Sequence, residues 1–211
     1  MSKLNLVNIF ISLIALSACT YLQPKIKLQS GDILFRGSSS EQLSTAIDKV
    51  TQTSAETHFS HMGLVEVADS EIFVLHASPD GGTCRIRLTE FLHPKGDSVI
   101  VVGYRLKSEW QKTIPAAIQK AHQMLGKSYN SSYILSDTAH YCSEFVYLAF
   151  AADSVFELNP MTFKDPKTGD FFPTWVEYYQ KMGLKIPEGL QGCNPNGLAA
   201  SPKLERLGEI E

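Results

Sequence analysis

The chain has 211 residues, of which 44% are apolar and 19% charged, with 19 Lys and Arg against 22 Asp and Glu. This composition excludes a disordered or fibrous chain, and the net charge of −3 excludes a strongly basic nucleic-acid-binding protein. Four cysteines are too few for a disulfide scaffold, and no apolar run reaches the roughly 18 residues that a membrane-spanning helix needs. The sequence therefore predicts one medium-sized domain with its own core.

The first 19 residues are typical of a secretory signal. Lys3 precedes an apolar stretch from Leu4 to Leu16, and small residues then lead to Cys19. This order of charge, apolar stretch and small residues marks a secretory signal, and the stretch is too short for a membrane span.

The segment around Cys19 resembles the lipobox of bacterial lipoproteins. That resemblance implies removal of residues 1–18, lipidation of Cys19 and a tether over 19–29. Thr20 stands where an inner-membrane retention signal would have Asp, which favours the outer membrane, facing the periplasm. The alternative is an ordinary secretory signal in which Cys19 falls near the cleavage point by chance.

The rest of the chain is expected to form a single α+β domain over residues 30–211. Short apolar runs predict five strands, within 31–37 and at 60–68, 71–78, 83–91 and 98–106. Helical spacing predicts four helices, at 38–52, at 108–125 opened by a capping box, after Cys142 to residue 152, and at 174–182. Helices before and after a consecutive run of strands indicate an antiparallel sheet packed against helices.

Two histidines lie on the predicted hairpin of strands 60–68 and 71–78. If Asp69 and Ser70 form a two-residue turn, Gly63 faces His76, and His61 becomes a diagonal neighbour of His76 on the same face. Such neighbours are about 7–8 Å apart at the backbone. One imidazole could therefore orient the other through a hydrogen bond, and Gly63 would leave space for the ring.

Cys142 is the candidate nucleophile, because a loop leads to it and an apolar helix follows it. A helix N-terminus stabilises the reactive thiolate. His61 is the candidate base, and His140 is retained as an alternative because it lies two residues before Cys142. A buried structural thiol is the alternative interpretation of Cys142.

Other histidines and cysteines are expected to have structural roles. His58 and His61 would point to opposite faces of a strand, so a zinc site is not expected. His93, His122 and His140 are interpreted as surface or cap residues. The two remaining thiols, Cys84 and Cys193, are either buried or joined in a disulfide. The chain has neither a Gly-rich phosphate loop nor paired CxxC motifs, so no nucleotide, flavin or metal cofactor is expected.

Three motifs in this order resemble the circularly permuted papain-like amidases. These motifs are Gly-Asp-Ile-Leu at 31–34, Ser-His-Met-Gly at 60–63 and Tyr-Cys-Ser-Glu at 141–144. The family is related to the NlpC-type cell-wall cysteine peptidases and to the lecithin:retinol acyltransferase group. The resemblance implies Cys142 as nucleophile, His61 as general base and His76 as the third, polar member. Histidine at the third place is typical of the acyltransferase group, whereas close bacterial members often carry glutamate.

The resemblance implies a lipid-anchored cysteine hydrolase of the cell envelope, without a cofactor. Peptidoglycan stem peptides are the nearest substrate by analogy, with cleavage at amide bonds. One alternative is a lipid acyl hydrolase or acyltransferase, and another is a non-catalytic binding module of the envelope. No nucleic-acid partner is expected, the membrane contact would be the lipid on Cys19, and the oligomeric state is left open.

Overall fold

The structure is a computed structural model that describes residues 26–37, 42–51, 53, 58–94 and 99–211. The secretory signal at 1–18 and the lipidation of Cys19 lie outside the described residues, so both stay predictions. Of the predicted tether, residues 26–29 are described, and Leu28 among them is buried.

An antiparallel sheet forms the centre of the molecule, as the sequence predicts, but it has six strands where five were predicted. Its strands are β1 Ile33–Gly37, β2 Phe59–Ala68, β3 Glu71–Ser78, β4 Gly82–Arg87, β5 Val101–Leu106 and β10 Leu204–Glu209. Their order across the sheet is β10-β5-β1-β2-β3-β4. Two small pairs lie apart from it, formed by β6 Ser128–Tyr129 with β7 Ala139–His140 and by β8 Asn159–Pro160 with β9 Gln191–Gly192.

The helices lie in the connections between the strands of the six-stranded sheet. They are α1 Gln42–Thr51, α2 Leu88–Leu92, α3 Ile114–Gln123, α4 Cys142–Ala149, α5 Pro173–Met182 and α6 Pro195–Ala199, with 3₁₀ turns at Ser108–Thr113 and Ala151–Asp153. Within the described part of the chain, every helix is too short or too polar to cross a membrane.

Alternation along the strands divides the apolar side chains between two clusters. Met62 and Leu64 of β2 belong to the larger cluster, which also contains Phe145 of α4. Val65 of β2 belongs to the smaller cluster, which also contains Phe91 of α2. Successive side chains of a strand point to opposite faces, so α4 and α2 pack on opposite sides of the sheet.

The β2–β3 hairpin has the predicted register. Asp69 and Ser70 adopt φ values of +50° and +64°, as a two-residue hairpin turn requires, and Ala68 faces Glu71. The pairing continues as far as Leu64 and Leu75. Beyond that point β2 pairs with β1 and β3 with β4, so the two strands of the hairpin separate at the level of the predicted catalytic histidines.

The fourth predicted strand, at 83–91, is wrong in its second half. Strand β4 ends at Arg87, and Leu88–Leu92 forms α2. Leu88, Phe91 and Leu92 have the i, i+3, i+4 spacing of a helix face, and all three contribute to the smaller cluster. In the next strand, pairing begins at Val101, and the predicted start at residue 98 lies outside the described residues.

The helix predicted at 108–125 begins later than expected and lacks the capping box. Residues Ser108–Thr113 form a 3₁₀ turn, and Gln111 donates its side-chain N–H to the Leu106 carbonyl at 2.9 Å. The α-helical part follows, and Pro115 is its second residue. Proline has no N–H to donate and is tolerated in the first turn of a helix, which explains the later start of α3.

Candidate active site

Cys142 is the first residue of α4, as predicted, and buried polar groups fix this helix end. Glu144 accepts the backbone N–H of Tyr141 at 3.1 Å and that of Ser136 at 2.8 Å. The side-chain amide of Asn130 also contacts Glu144, at 3.4 Å. Glu144 therefore closes the start of the helix and ties the preceding loop to it, as capping acidic residues do.

The Cys142 thiol is buried and forms part of the wall of a cavity. Its side chain is 5% exposed, and burial raises the pKa of the thiol to about 11. Backbone N–H groups of Ser143 and Met62 act in the opposite direction by hydrogen bonding to the sulfur. Since Met62 follows His61 in β2, the sulfur lies near the backbone of this strand, one residue after the histidine.

The two hairpin histidines are in direct contact. His61 Nε2 and His76 Nδ1 are 2.8 Å apart, and both rings are buried against Phe91. Burial and, to a smaller extent, the charge of Arg36 lower the pKa of His61 well below its usual value and that of His76 to about 4. At neutral pH both imidazoles are therefore uncharged, and their hydrogen bond leaves His61 Nδ1 as the other ring nitrogen for a reaction partner.

The Cys142 thiol and the two imidazoles pack against different apolar clusters, near the point where β2 and β3 separate. Cys142 belongs to the larger cluster, while His61 and His76 contact Phe91 of the smaller one. Between these described residues, no hydrogen bond joins the sulfur to either imidazole, and neither histidine is among the described residues that line the cavity. Catalytic hydrogen bonds are often long without substrate and shorten only in the reacting complex.

Cys84 extends the histidine pair to a chain of three side chains. His76 Nε2 lies 3.3 Å from Cys84 Sγ, opposite it across the β3–β4 hairpin. The sequence interpretation missed this contact, although the turn around Asp80 and Gly81 implies the same register. Cys84 and Cys193 are both free thiols, so the disulfide alternative is wrong.

The expected structural histidines divide into two groups. His93 and His122 are exposed, as predicted, and His122 contacts Glu66 at 2.7 Å. His140 is buried at 1% exposure, so its interpretation as a surface or cap residue is wrong. It lies in β7, where the short strand and Glu144, 3.6 Å from its Nδ1, enclose it.

The cavity beside Cys142 has a volume of about 190 Å³ and extends from the sulfur towards α1, α5 and α6. Tyr133, in the loop before α4, forms one wall and has a positive φ of 56°. This loop is held by α5, because the hydroxyl groups of Tyr178 and Tyr179 donate to the carbonyls of Ser131 and Ser132 at 2.7 and 3.0 Å.

An antiparallel sheet, a cysteine that opens the helix packed on it, and a histidine strand that precedes this cysteine in the chain define the circularly permuted papain-like class. The sequence pattern of the permuted papain-like amidase enzymes, the YaeF/YiiX, C92 family, matches residues 27–208. The chain therefore belongs to this family, and the predicted fold class is confirmed.

Two relatives agree with this assignment. The uncharacterized protein YiiX of Escherichia coli K12 is 30% identical over 123 residues, which are 58% of this chain and 57% of YiiX. The chain thus spans a little over half the length of that curated relative. The crystal structure of the metalloprotein YiiX from Escherichia coli O157:H7 has a TM-score of 0.66 and 25% identity, and the match covers 86% of this chain and 97% of that one.

Proposed function

We propose that this chain is a cysteine hydrolase that cleaves amide bonds with Cys142 as nucleophile, His61 as general base and His76 as the residue that orients His61. The 2.8 Å hydrogen bond between the two buried imidazoles, on the two strands against which the Cys142 helix packs, is the observation that carries this proposal. Membership of an amidase family supports the reaction class.

The hydrogen bonds suggest the tautomers that the reaction requires. When His61 donates from Nε2 to His76 Nδ1, His76 in turn can donate from Nε2 to Cys84 Sγ. His61 Nδ1 then keeps its lone pair and can accept the proton of Cys142. The third polar member thus selects the active tautomer of the base, which is the role of the orienting group in nucleophile–base triads.

In the proposed cycle the Cys142 proton passes to His61 Nδ1 while the sulfur forms a bond to the amide carbonyl carbon. The C–N bond then breaks, and His61 gives the proton to the departing amine. Water adds to the resulting thioester, His61 takes one of its protons, and the acid leaves as that proton returns to the sulfur. The backbone N–H of Cys142, in the first turn of α4, is the proposed donor to the developing oxyanion.

The resting pair is uncharged in this proposal. Burial raises the pKa of Cys142 and lowers the pKa of His61, so the resting thiol and the resting imidazole are both neutral. Proton transfer then accompanies attack on the carbonyl instead of preceding it, as in serine hydrolases.

The proposed setting is the cell envelope, with the chain anchored at the outer membrane through lipidated Cys19 and acting on amide bonds of peptidoglycan stem peptides. The experiment compares cell-wall fragments by mass spectrometry after incubation with the wild type and with Cys142→Ala. New fragments with the wild type alone support wall-peptide cleavage. Identical fragment profiles from both proteins count against this substrate.

A lipid acyl substrate is the second candidate, and the apolar wall of the cavity beside Cys142 favours it. Release of fatty acid from phospholipid vesicles, or a stable acyl group on Cys142, would support this candidate. Vesicles that remain intact with active protein would oppose it.

YiiX is described as a metalloprotein, which makes the metal-ligating side chains of this chain relevant. Among the residues described, no group of three or more His, Cys, Asp or Glu side chains could hold a metal ion. The proposed cycle therefore uses no metal step.

A further inference from the structure

We propose that a second cavity, which adjoins the one beside Cys142, binds the dipolar end of an amino acid. Lys203 would hold the carboxylate of this end, and Glu157 would hold its ammonium group. This inference rests on the proposed function, because it names the substrate class of the same site, an amide that carries a free amino acid at its far end.

The second cavity lies between the segment that follows α4 and the connection from α6 to β10. It has a volume of about 250 Å³, compared with about 190 Å³ for the cavity beside Cys142. Four residues belong to the walls of both cavities, namely Glu157, Asn159, Gly197 and Leu198. Two of them come from each of the segments that enclose the second cavity. The two cavities therefore adjoin along this border, and in the proposal one substrate spans both.

The wall of the second cavity carries one charge of each sign. Glu157 and Lys203 are the charged side chains among its described lining residues. Neither belongs to an ion pair among the described residues, and so the two do not pair with each other although they line the same cavity. A ligand with an ammonium group and a carboxylate can satisfy both charges at once, whereas an alkyl chain satisfies neither.

The Lys203 ammonium group is positioned by contacts that do not use all of its donors. Its Nζ donates to the Ser154 carbonyl at 2.7 Å and lies 4.3 Å from the centre of the Trp110 ring. An ammonium group has three N–H donors, so at least one remains for a carboxylate even if another points at the ring. The bond to Ser154 is exposed, so a ligand can reach the same nitrogen.

The remainder of the wall suits a short aliphatic group between the two charges. Val155, Phe156 and Leu198 are buried side chains of this wall and offer apolar contacts. The ethanolamine phosphate of a lipid headgroup also carries both charges and is the competing occupant. Membership of an amidase family favours the amino acid, because amide bonds join amino acids in peptides.

The first test measures binding to the Cys142→Ala protein by NMR, with the methyl groups of Val155 and Leu198 as reporters in the wall. The ligands are norvaline, pentanoate, which lacks the ammonium group, and butylamine, which lacks the carboxylate. Norvaline should shift both reporters to saturation, with a Kd about five- to tenfold lower than that of either comparison. Equal Kd values, no saturating shift, or tighter binding of phosphoethanolamine than of norvaline would overturn the proposal.

The second test assigns each charge to its residue. In Lys203→Met, norvaline should lose its advantage over butylamine but keep its advantage over pentanoate. Glu157→Gln should show the opposite pattern, and Lys120→Met, an exposed change on α3 outside both cavity walls, should keep both advantages. A loss of fold would weaken all three ligands together, so it cannot produce this crossed pattern. Wild-type ratios in both cavity variants would overturn the assignment.

The third test connects the second cavity to the Cys142 site in the wild type. The substrates carry an acetyl group on the side-chain nitrogen of 2,4-diaminobutyrate, ornithine or lysine, so two, three or four methylenes separate the amide from the same dipolar end. The value of kcat/KM should be highest at one length, and Lys203→Met should remove this preference.

The two proposals fail in different ways. Equal hydrolysis of the three amides, in the wild type and in Lys203→Met, would leave the cysteine hydrolase standing and remove the amino-acid subsite. Crossed selectivity in binding without hydrolysis of any of the three amides would support the subsite and count against the proposed reaction.

Discussion

The charge of Arg36 acts on both imidazoles at the residue scale. Its guanidinium lies 5.3 Å from the centre of the Phe91 ring, which the imidazoles of His61 and His76 contact on other sides. A positive charge here disfavours protonation of either ring, and burial acts in the same direction. The base therefore stays unprotonated in mildly acidic solution.

In a plot of kcat/KM against pH, the acidic limb should lie below pH 6.5. The reason is that the pKa of His61 is lowered and the base is active when unprotonated. Arg36→Gln removes the repelling charge, so it should move this limb upward by about half to one pH unit. The exposed Arg206→Gln is the matched control and should leave the profile in place. An unmoved limb in Arg36→Gln would show that another group controls the profile.

Cys84 should act through His76, as an acceptor that selects the tautomer. Cys84→Ala removes the acceptor and should lower kcat about five- to tenfold with KM unchanged, which corresponds to one lost hydrogen bond. Cys84→Ser keeps an acceptor and should restore most of kcat. If both variants change the unfolding midpoint equally and kcat in neither, Cys84 has a packing role alone.

At the residue scale, the sequence correctly predicted those contacts that depend on local backbone geometry. Asp69 and Ser70 define the turn, and the turn defines which residues face each other, so the contact of His61 with His76 could be foreseen. Burial of His140 could not be foreseen, because it depends on segments far apart in the chain that fold over this residue.

At the scale of elements, Gly63 lies where β2 and β3 separate, and because it has no side chain, His76 can keep its position there. A Cβ atom on Gly63 would lie 2.4 Å from Val74 Cγ1 and 3.2 Å from His76 Cβ, closer than real side chains approach. Gly63 thus provides the space for the ring that the register predicts.

Gly63→Ala should therefore lower the free energy of unfolding by about 1–3 kcal/mol and also lower kcat, because relief of the overlap displaces His76. Gly81→Ala, in the next turn, is the control, since its Cβ would meet Cys84 Sγ at an ordinary 3.5 Å. Chemical denaturation and kcat measure the two effects. A Gly63→Ala protein as stable and as active as the control would contradict the close packing at His76.

Element boundaries were harder to predict than the elements themselves. The strand-like composition of 83–91 hides the helical spacing of Leu88, Phe91 and Leu92, and α3 begins at Ile114 although Ser108 offers an earlier start. Strand β10 was missed because it is an edge strand with mostly exposed side chains, so it lacks the alternation of a half-buried strand. Its pairing with β5 joins two segments that are far apart in the sequence.

For the whole molecule, two uncharged buried imidazoles make stability depend on pH. Their folded-state pKa values lie below the unfolded value of 6.5, so the unfolded chain binds more protons in acid. The stabilisation is complete above pH 6.5 and is lost as the pH falls through the window from 6.5 towards the value of about 4 for His76.

Between pH 7 and pH 5, His76 alone should remove roughly 2 kcal/mol from the free energy of unfolding. Urea denaturation at the two pH values measures this loss, and the double variant His61→Gln/His76→Gln should show a smaller difference than the wild type. A difference that is unchanged in the double variant would assign the acid sensitivity to other groups.

The most direct test of the account is the rate at which Cys142 accepts an acetyl group from 4-nitrophenyl acetate at pH 7, measured for each cysteine by peptide mass spectrometry. Cys142 should acylate far faster than Cys84 or Cys193. His61→Ala should slow this step by a factor on the order of 100 or more, and the exposed His122→Ala should leave it unchanged. Acylation of Cys142 at the same rate in His61→Ala as in the wild type, or no faster than at Cys193, would contradict a nucleophile and base that act together.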